Sequence, residues 1–164
     1  MGEVSATRHE GRVFALGPVT PRIAPGVFIA PGSVVVGDVF MAEGSSLWYN
    51  SVIRGDIAPI VVGAGSNIQD GSVIHADPGF PTIIGDDVLV GHKVIVHGAI
   101  IRDRGFVGMG ATLLNGATIE SDGMLAAGAL LTGGRTVGSG ELWAGSPARL
   151  HCQSQMGQIN KNYH

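Results

Sequence analysis

Residues 83–131 read IIGDDVLVGHKVIVHGAIIRDRGFVGMGATLLNGATIESDGMLAAGALL. Counting in sixes from Ile83 gives Leu89, Ile95, Ile101, Val107, Leu113, Ile119, Leu125 and Leu131, all aliphatic. With 45% of the chain apolar, nine such residues in one register is an accident of roughly less than one in a hundred. Upstream the count gives Ile23, Ile29, Val35, Met41, Leu47 and Ile53, then Val62, Ile68 and Ile74. The steps from Ile53 to Val62 and from Ile74 to Ile83 are nine, or six plus three. Two three-residue insertions therefore interrupt one continuous pattern.

The position two before each aliphatic reads Val27, Ser33, Val39, Ser45, Ser51, Ser72, Ala99, Gly105, Ala111, Ala117, Gly123 and Ala129, mostly small, with Asp87 and Lys93 as exceptions. A helix repeats every 3.6 residues and a strand every two. Period six fits neither. It fits a short flat strand followed by a corner, with Gly, Asp and Asn supplying the corner's backbone angles. Three faces close a triangular coil of eighteen residues, and the aliphatics stack coil on coil. The chain has room for about six coils. A β-sandwich needs strands spaced by 8–12 residues and does not fit.

The repeat resembles that of the hexapeptide-repeat family, which implies an all-β, left-handed parallel β-helix. Gly145-Ser146-Pro147-Ala148-Arg149 looks like the family's exit motif. The expected organisation is an entry strand and loop over 1–20, the β-helix over 21–149, and a short C-terminal helix over 150–164.

Composition removes several function classes. The chain has 164 residues, 27 of them Gly, with 14% charged residues and a net charge of −3. No block of Lys or Arg is present, so nucleic acid is not an expected partner. No stretch of 18 uncharged apolar residues exists, so no membrane insertion is expected. Met1–Thr20 has no apolar run behind a basic start and does not read as a signal peptide. The single cysteine, Cys152, forbids an internal disulfide and agrees with a cytoplasmic location.

Three histidines fall within 23 residues of the repeat core: His75, His92 and His97. His75 and His97 are 22 apart, and removing a three-residue insertion leaves one coil plus one. They belong on one face, one coil above the other, about 4.8 Å apart. Both rings could reach one ion. His92 precedes His97 by five and points to a different side of the triangle. In a threefold ring a neighbouring chain could bring its own His92 to the pair, giving one metal per subunit boundary. Three imidazoles suit Zn²⁺, with Fe²⁺, Co²⁺ or Ni²⁺ also compatible, and leave a fourth position for water. The bland alternative, on spacing alone, is three structural histidines.

The wider set resembles the γ-class carbonic anhydrase-like family over residues 20–150. The matching residues are Val52-Ile53-Arg54-Gly55-Asp56, Asn67-Ile68-Gln69-Asp70-Gly71, His75, Gly91-His92-Lys93 and His97-Gly98. The resemblance implies a homotrimer in which His75 and His97 of one subunit and His92 of the next hold the metal. It implies an ion-pair network of Arg54, Asp56 and Asp70 across the interface; the alternative is a solvated surface pair worth about 0–1 kcal/mol. It implies that Gln69 orients metal-bound water or substrate, against the alternative of a corner amide satisfying backbone. It implies that Tyr163, in the terminal segment, stands near the metal.

Two departures from the archetypal γ enzyme bear on rate. Ile57 stands where the archetype has Glu after the residue matching Asp56. The loop after His75, Ala76-Asp77-Pro78-Gly79-Phe80-Pro81, is short and holds one acid, Asp77. Fast hydration must export a proton in every turnover, and those carboxylates would serve it.

Three functions are thus expected to compete. The first is hydration of carbon dioxide to bicarbonate by metal-bound hydroxide. The second is acyl-CoA or thioester transfer or hydrolysis with a His as base. The third is a non-catalytic, trimeric metal-binding or partner-binding assembly.

Overall fold

The structure is a computed structural model that describes residues 11–153. It is an all-β parallel solenoid, and the described residues contain no helix. Three faces wind around one core. One face runs Phe28–Ile29, Ser46–Leu47, Asn67–Ile68, Leu89–Val90, Phe106–Val107 and Met124–Leu125, each strand parallel to the next. A second stacks Val73–His75, Ile95–His97, Thr112–Leu113 and Leu130–Leu131, again in parallel. The third stacks Thr82–Ile84, Ile100–Ile101, Thr118–Ile119 and Thr136–Val137. The long strands Val34–Met41 and Val52–Val62 turn the edge between the second and third faces and tie them into one sheet.

The inward residues of the first face are Ile29, Leu47, Ile68, Val90, Val107 and Leu125, all fully buried. Trp143, parallel to Leu125 on the strand Glu141–Gly145, adds a seventh rung, so the stack spans six coils, the number expected from the repeat. Its step differs from the expected register in one segment. Ile84, Val90 and Val96 are fully buried, while Ile83 is 37% and Ile95 43% exposed. The insertion after Ile74 is therefore four residues rather than three, and the step from Val96 to Ile101 is five. The two errors cancel, so the pattern downstream of Ile101 is unaffected.

The cause lies in the doublets Ile83-Ile84, Leu89-Val90 and Ile95-Val96, where either neighbour satisfies an apolar count. The corners decide. Three residues before most inward side chains the backbone turns through positive φ, from Gly26 (75°) to Gly140 (68°). Asp87 (φ 53°) and Lys93 (φ 57°) occupy these corners, three residues before Val90 and Val96. They are exceptions only in the wrong register. In the true one the small positions are held by Val88 and Val94, both buried.

Serine at the small position does more than save space. Ser72 is fully buried, donates its hydroxyl to Gly91 O (2.9 Å) and accepts Val94 N–H (3.1 Å). Ser66 does the same with Gly85 O (2.7 Å) and Val88 N–H (2.9 Å). Each hydroxyl rivets one coil to the next at a corner where the strand ladder lapses. Ser72→Ala fills the volume but orphans the Val94 N–H, a loss of about 1–3 kcal/mol. Thermal unfolding of that variant should begin several degrees lower; an unchanged midpoint would show the rivet to be idle.

The ends of the stack are closed by extra strands. Arg12–Phe14 pairs in parallel with Val34–Val36, so parallel pairing begins before residue 21. At the other end Trp143 is 8% exposed and closes the core, with Arg135 stacked 5.4 Å from its ring. Glu141 accepts the Trp143 indole N–H (2.8 Å) and the Gly138 N–H (2.8 Å). Residues 150–153, expected to begin a helix, instead belong to the strand Ala148–Gln153, antiparallel to Glu141–Gly145. Pro147 turns the chain back onto its own sheet edge, and covering that edge satisfies backbone groups a solenoid would otherwise leave open. The remainder of the expected helix, 154–164, lies outside the described residues.

Candidate metal centre

Three adjacent rungs bring chemistry to one corner. Val73–His75 and Ile95–His97 pair in register, with His97 opposite His75. On the other side Val52–Val62 sets Arg54 opposite His75. The four-residue insertion makes the 22-residue interval one whole coil, so the histidines are true neighbours. Thr82, fully buried, fastens them: its hydroxyl donates to His75 O (2.5 Å) and accepts the Gly98 N–H (3.0 Å).

His75 Nδ1 and His97 Nε2 stand 3.0 Å apart. The outer nitrogen of each ring meets an oxygen. His75 Nε2 is 2.9 Å from Asp56 Oδ1, and His97 Nδ1 is 2.7 Å from Asn115 Oδ1. Arg54 donates to the second oxygen of Asp56. Burial pushes the Asp56 carboxyl up, but the hydrogen bonds from His75 and Arg54 outweigh it and hold the group below the usual carboxylate range. Asp56 is thus ionised at neutral pH and only accepts, so His75 Nε2 carries a hydrogen. An amide oxygen also only accepts, so His97 Nδ1 carries one too.

Both inner nitrogens then aim lone pairs at each other, which calls for a cation, proton or metal, between them. Two nitrogens on a tetrahedral zinc with bonds of 2.0–2.1 Å stand about 3.4 Å apart, near the separation here. The pair fits a metal ion in donor chemistry and in spacing.

His92 lies elsewhere. It is exposed, at the corner between the first and second faces, and its Nδ1 is 3.0 Å from Asp70 Oδ2. Among the described residues no group of three or more His, Cys, Asp or Glu is placed to hold a metal within the chain. The expected residues divide into two separate groups at different edges of the triangle. Arg54, Asp56, His75 and His97 form one; Asp70 and His92 form the other, with Gln69 on the strand edge beside them.

No family profile matches the chain. The Arabidopsis thaliana protein named gamma carbonic anhydrase 1, mitochondrial, is 44% identical over 154 residues, covering 90% of this chain and 55% of that protein. Protein YrdA of Escherichia coli is 49% identical over 136 residues, covering 79% of this chain and 74% of that one. The chain belongs to the γ-carbonic anhydrase-like family of hexapeptide-repeat proteins. A solved Bacillus cereus structure, named for a proposed acetyltransferase, superposes with a TM-score of 0.90 at 35% identity, over 93% of this chain and 88% of that one. The chain spans about half the length of the Arabidopsis and other curated carbonic anhydrase relatives it matches.

In this family member Gln69 is half-buried, with its backbone N–H on Val90 O (2.9 Å) and its carbonyl accepting the Ser51 hydroxyl (2.9 Å). Tyr163 lies outside the described residues. Ile57 is 52% exposed, next to Asp56 in the long strand Val52–Val62, and lines an open groove with Leu16, Val19 and Asp38. No helix among the described residues is long and apolar enough to cross a membrane.

Asn115 and Thr82 were not among the expected site residues. Thr82 carries no spacing signal. Asn115 does carry one, since it follows His97 by eighteen residues, one coil, and so stands over the same corner. Asp77, visible in the sequence only as the loop's lone acid, accepts Asn115 Nδ2–H at 2.8 Å.

Proposed function

We propose that the protein is a γ-carbonic anhydrase-like metalloenzyme that hydrates carbon dioxide reversibly at sites shared between the subunits of a left-handed β-helical homotrimer. The observation that carries this reading is the facing pair His75 Nδ1 and His97 Nε2, 3.0 Å apart, each ring anchored at its other nitrogen. His75 and His97 of one subunit and His92 of the next would hold the ion, with Zn²⁺ the first choice and Fe²⁺, Co²⁺ or Ni²⁺ compatible with the imidazole set. A bound ion of this kind supplies a Lewis acid that brings the pKa of water to about 7.

The chain's own residues supply the rest. Asp56 orients His75 and is itself held by Arg54. Gln69, beside Asp70 and His92, would orient water or substrate across the boundary; Tyr163 keeps the role the family resemblance gives it. Ile57 removes a carboxylate where the archetype has one, so slow turnover limited by proton export is part of the proposal. A cytoplasmic setting is also part of it, although the Arabidopsis relatives are named as mitochondrial.

Stopped-flow hydration of carbon dioxide by the metal-loaded protein tests the reading. Activity should vanish with chelator and return with Zn²⁺ or Fe²⁺. A metal-replete protein without turnover would overturn the enzyme reading and leave a non-catalytic assembly. The name of the Bacillus cereus structure favours acyl transfer as the second reading; thioester turnover that survives chelation would support that one instead.

A further inference from the structure

We propose that Asp77, acting through Asn115, fixes the tautomer of His97 and so keeps its Nε2 free as the lone pair facing His75. The inference rests on the reading of His97 as a metal ligand, and it concerns what holds that ligand ready. Asn115 donates Nδ2–H to Asp77 Oδ2 (2.8 Å) and accepts His97 Nδ1–H at Oδ1 (2.7 Å).

An amide has two orientations, and only the partners choose between them. Turned over, Asn115 would set its Oδ1 against the Asp77 carboxylate, two acceptors together. It would also set Nδ2–H against His97 Nδ1, which would then have to be the acceptor. The hydrogen of a neutral His97 would move to Nε2 and occupy the position the metal needs. Asp77 excludes that state because a carboxylate has nothing to donate.

The surrounding backbone is built to place both residues. Asp77 N–H donates to Phe80 O (3.1 Å) and Phe80 N–H to Asp77 O (2.8 Å), closing a tight turn over Pro78 and Gly79. Gly79 has φ 78°, the angle the third residue of such a turn requires. This turn is the insertion that follows His75. Gly98, next to His97, leaves the space that Asn115 fills: a Cβ there would lie 2.4 Å from Asn115 Oδ1. The insertion and the glycine together let an acid from one coil reach an amide from another. Asp77 and Asn115 are therefore positioning residues.

Two readouts test the proposal, and one needs no metal. In ¹⁵N-labelled, metal-free protein carrying His75→Ala, so that no second acceptor faces Nε2, long-range ¹H–¹⁵N correlations distinguish Nδ1–H from Nε2–H at His97. Zn²⁺ affinity is measured, with His75 present, by competition with a chromophoric chelator. With Asp77 in place His97 should show the Nδ1–H form. Asp77→Ala should show a mixture of forms and bind Zn²⁺ roughly 10–100-fold more weakly. Asp77→Asn, of nearly the same shape but with an amide that can donate as well as accept, no longer excludes the turned Asn115 and should show the same mixture and the same weakening. A His97 tautomer unchanged in Asp77→Ala would overturn the inference whatever the metal does. An Nδ1–H form that responds as expected, in a protein that binds no Zn²⁺, would uphold it and overturn the ligand reading instead.

Discussion

His97→Ala and His92→Ala should each abolish metal binding and hydration while leaving the β circular dichroism intact, although the two side chains sit at different edges of the triangle. Changing a residue that only hydrogen-bonds a metal ligand costs roughly 10–100-fold in affinity, so removal of a ligand itself should exceed about 100-fold. The two variants should also rescue one another. In a mixed trimer, a His92→Ala chain still supplies His75 and His97, and a His97→Ala neighbour still supplies His92. Random mixing in a head-to-tail ring leaves about one boundary in four intact. Metal content and activity should return to about that fraction after the two are unfolded and refolded together. Failure of the mixture to recover either would sink the shared site, as would full metal binding by His92→Ala alone.

The second large effect is expected at Gly55, which has no side chain to act as a ligand. The long strands Val34–Met41 and Val52–Val62 pair in register through Gly37 and Gly55, then slip before Val39 meets Ile60. At that slip a Cβ on Gly55 would lie 2.5 Å from Asp38 O and 2.9 Å from Asp38 C. These are backbone atoms held on both sides by the ladder, so the strands must separate. Gly55→Ala should cost about 3 kcal/mol, at the upper end for overpacking. That corresponds to a midpoint lowered by roughly 6–12 °C for a domain of this size. Because Gly55 lies between Arg54 and Asp56, the same shift should carry Asp56 away from His75 and weaken metal binding. A variant that melts like the wild type would show that the strands have slack the close approach denies.

Much of this architecture was legible in the chain because the solenoid is nearly one-dimensional. An inward residue recurs every sixth position whatever the rest of the molecule does, so the core and the coil count can be read by counting. Counting failed where two apolar residues stand side by side, as at Ile83-Ile84 and Ile95-Val96. There the corner backbone, not hydrophobicity, chooses which one enters the core. The site was legible to the same degree. His75 and His97 are separated by a near-multiple of the repeat, and His92 is out of phase with them.

What escaped was the set of contacts that depend on where insertions bend. The Asp77 turn, the reach of Asn115 past Gly98 and the Thr82 fastening join positions whose proximity depends on the length of one loop.

By itself the sequence determined an all-β coil with its apolar spine and the residue types available for metal chemistry, because periodicity dictates which side chains face inward. Only the tertiary structure decided that His97 stands directly opposite His75 rather than one position out of step, which acceptor holds each ring, and that the chain past Pro147 returns as a strand. Those outcomes turn on single-residue shifts in register, which leave hydrophobic content unchanged and move polar atoms into or out of bonding distance.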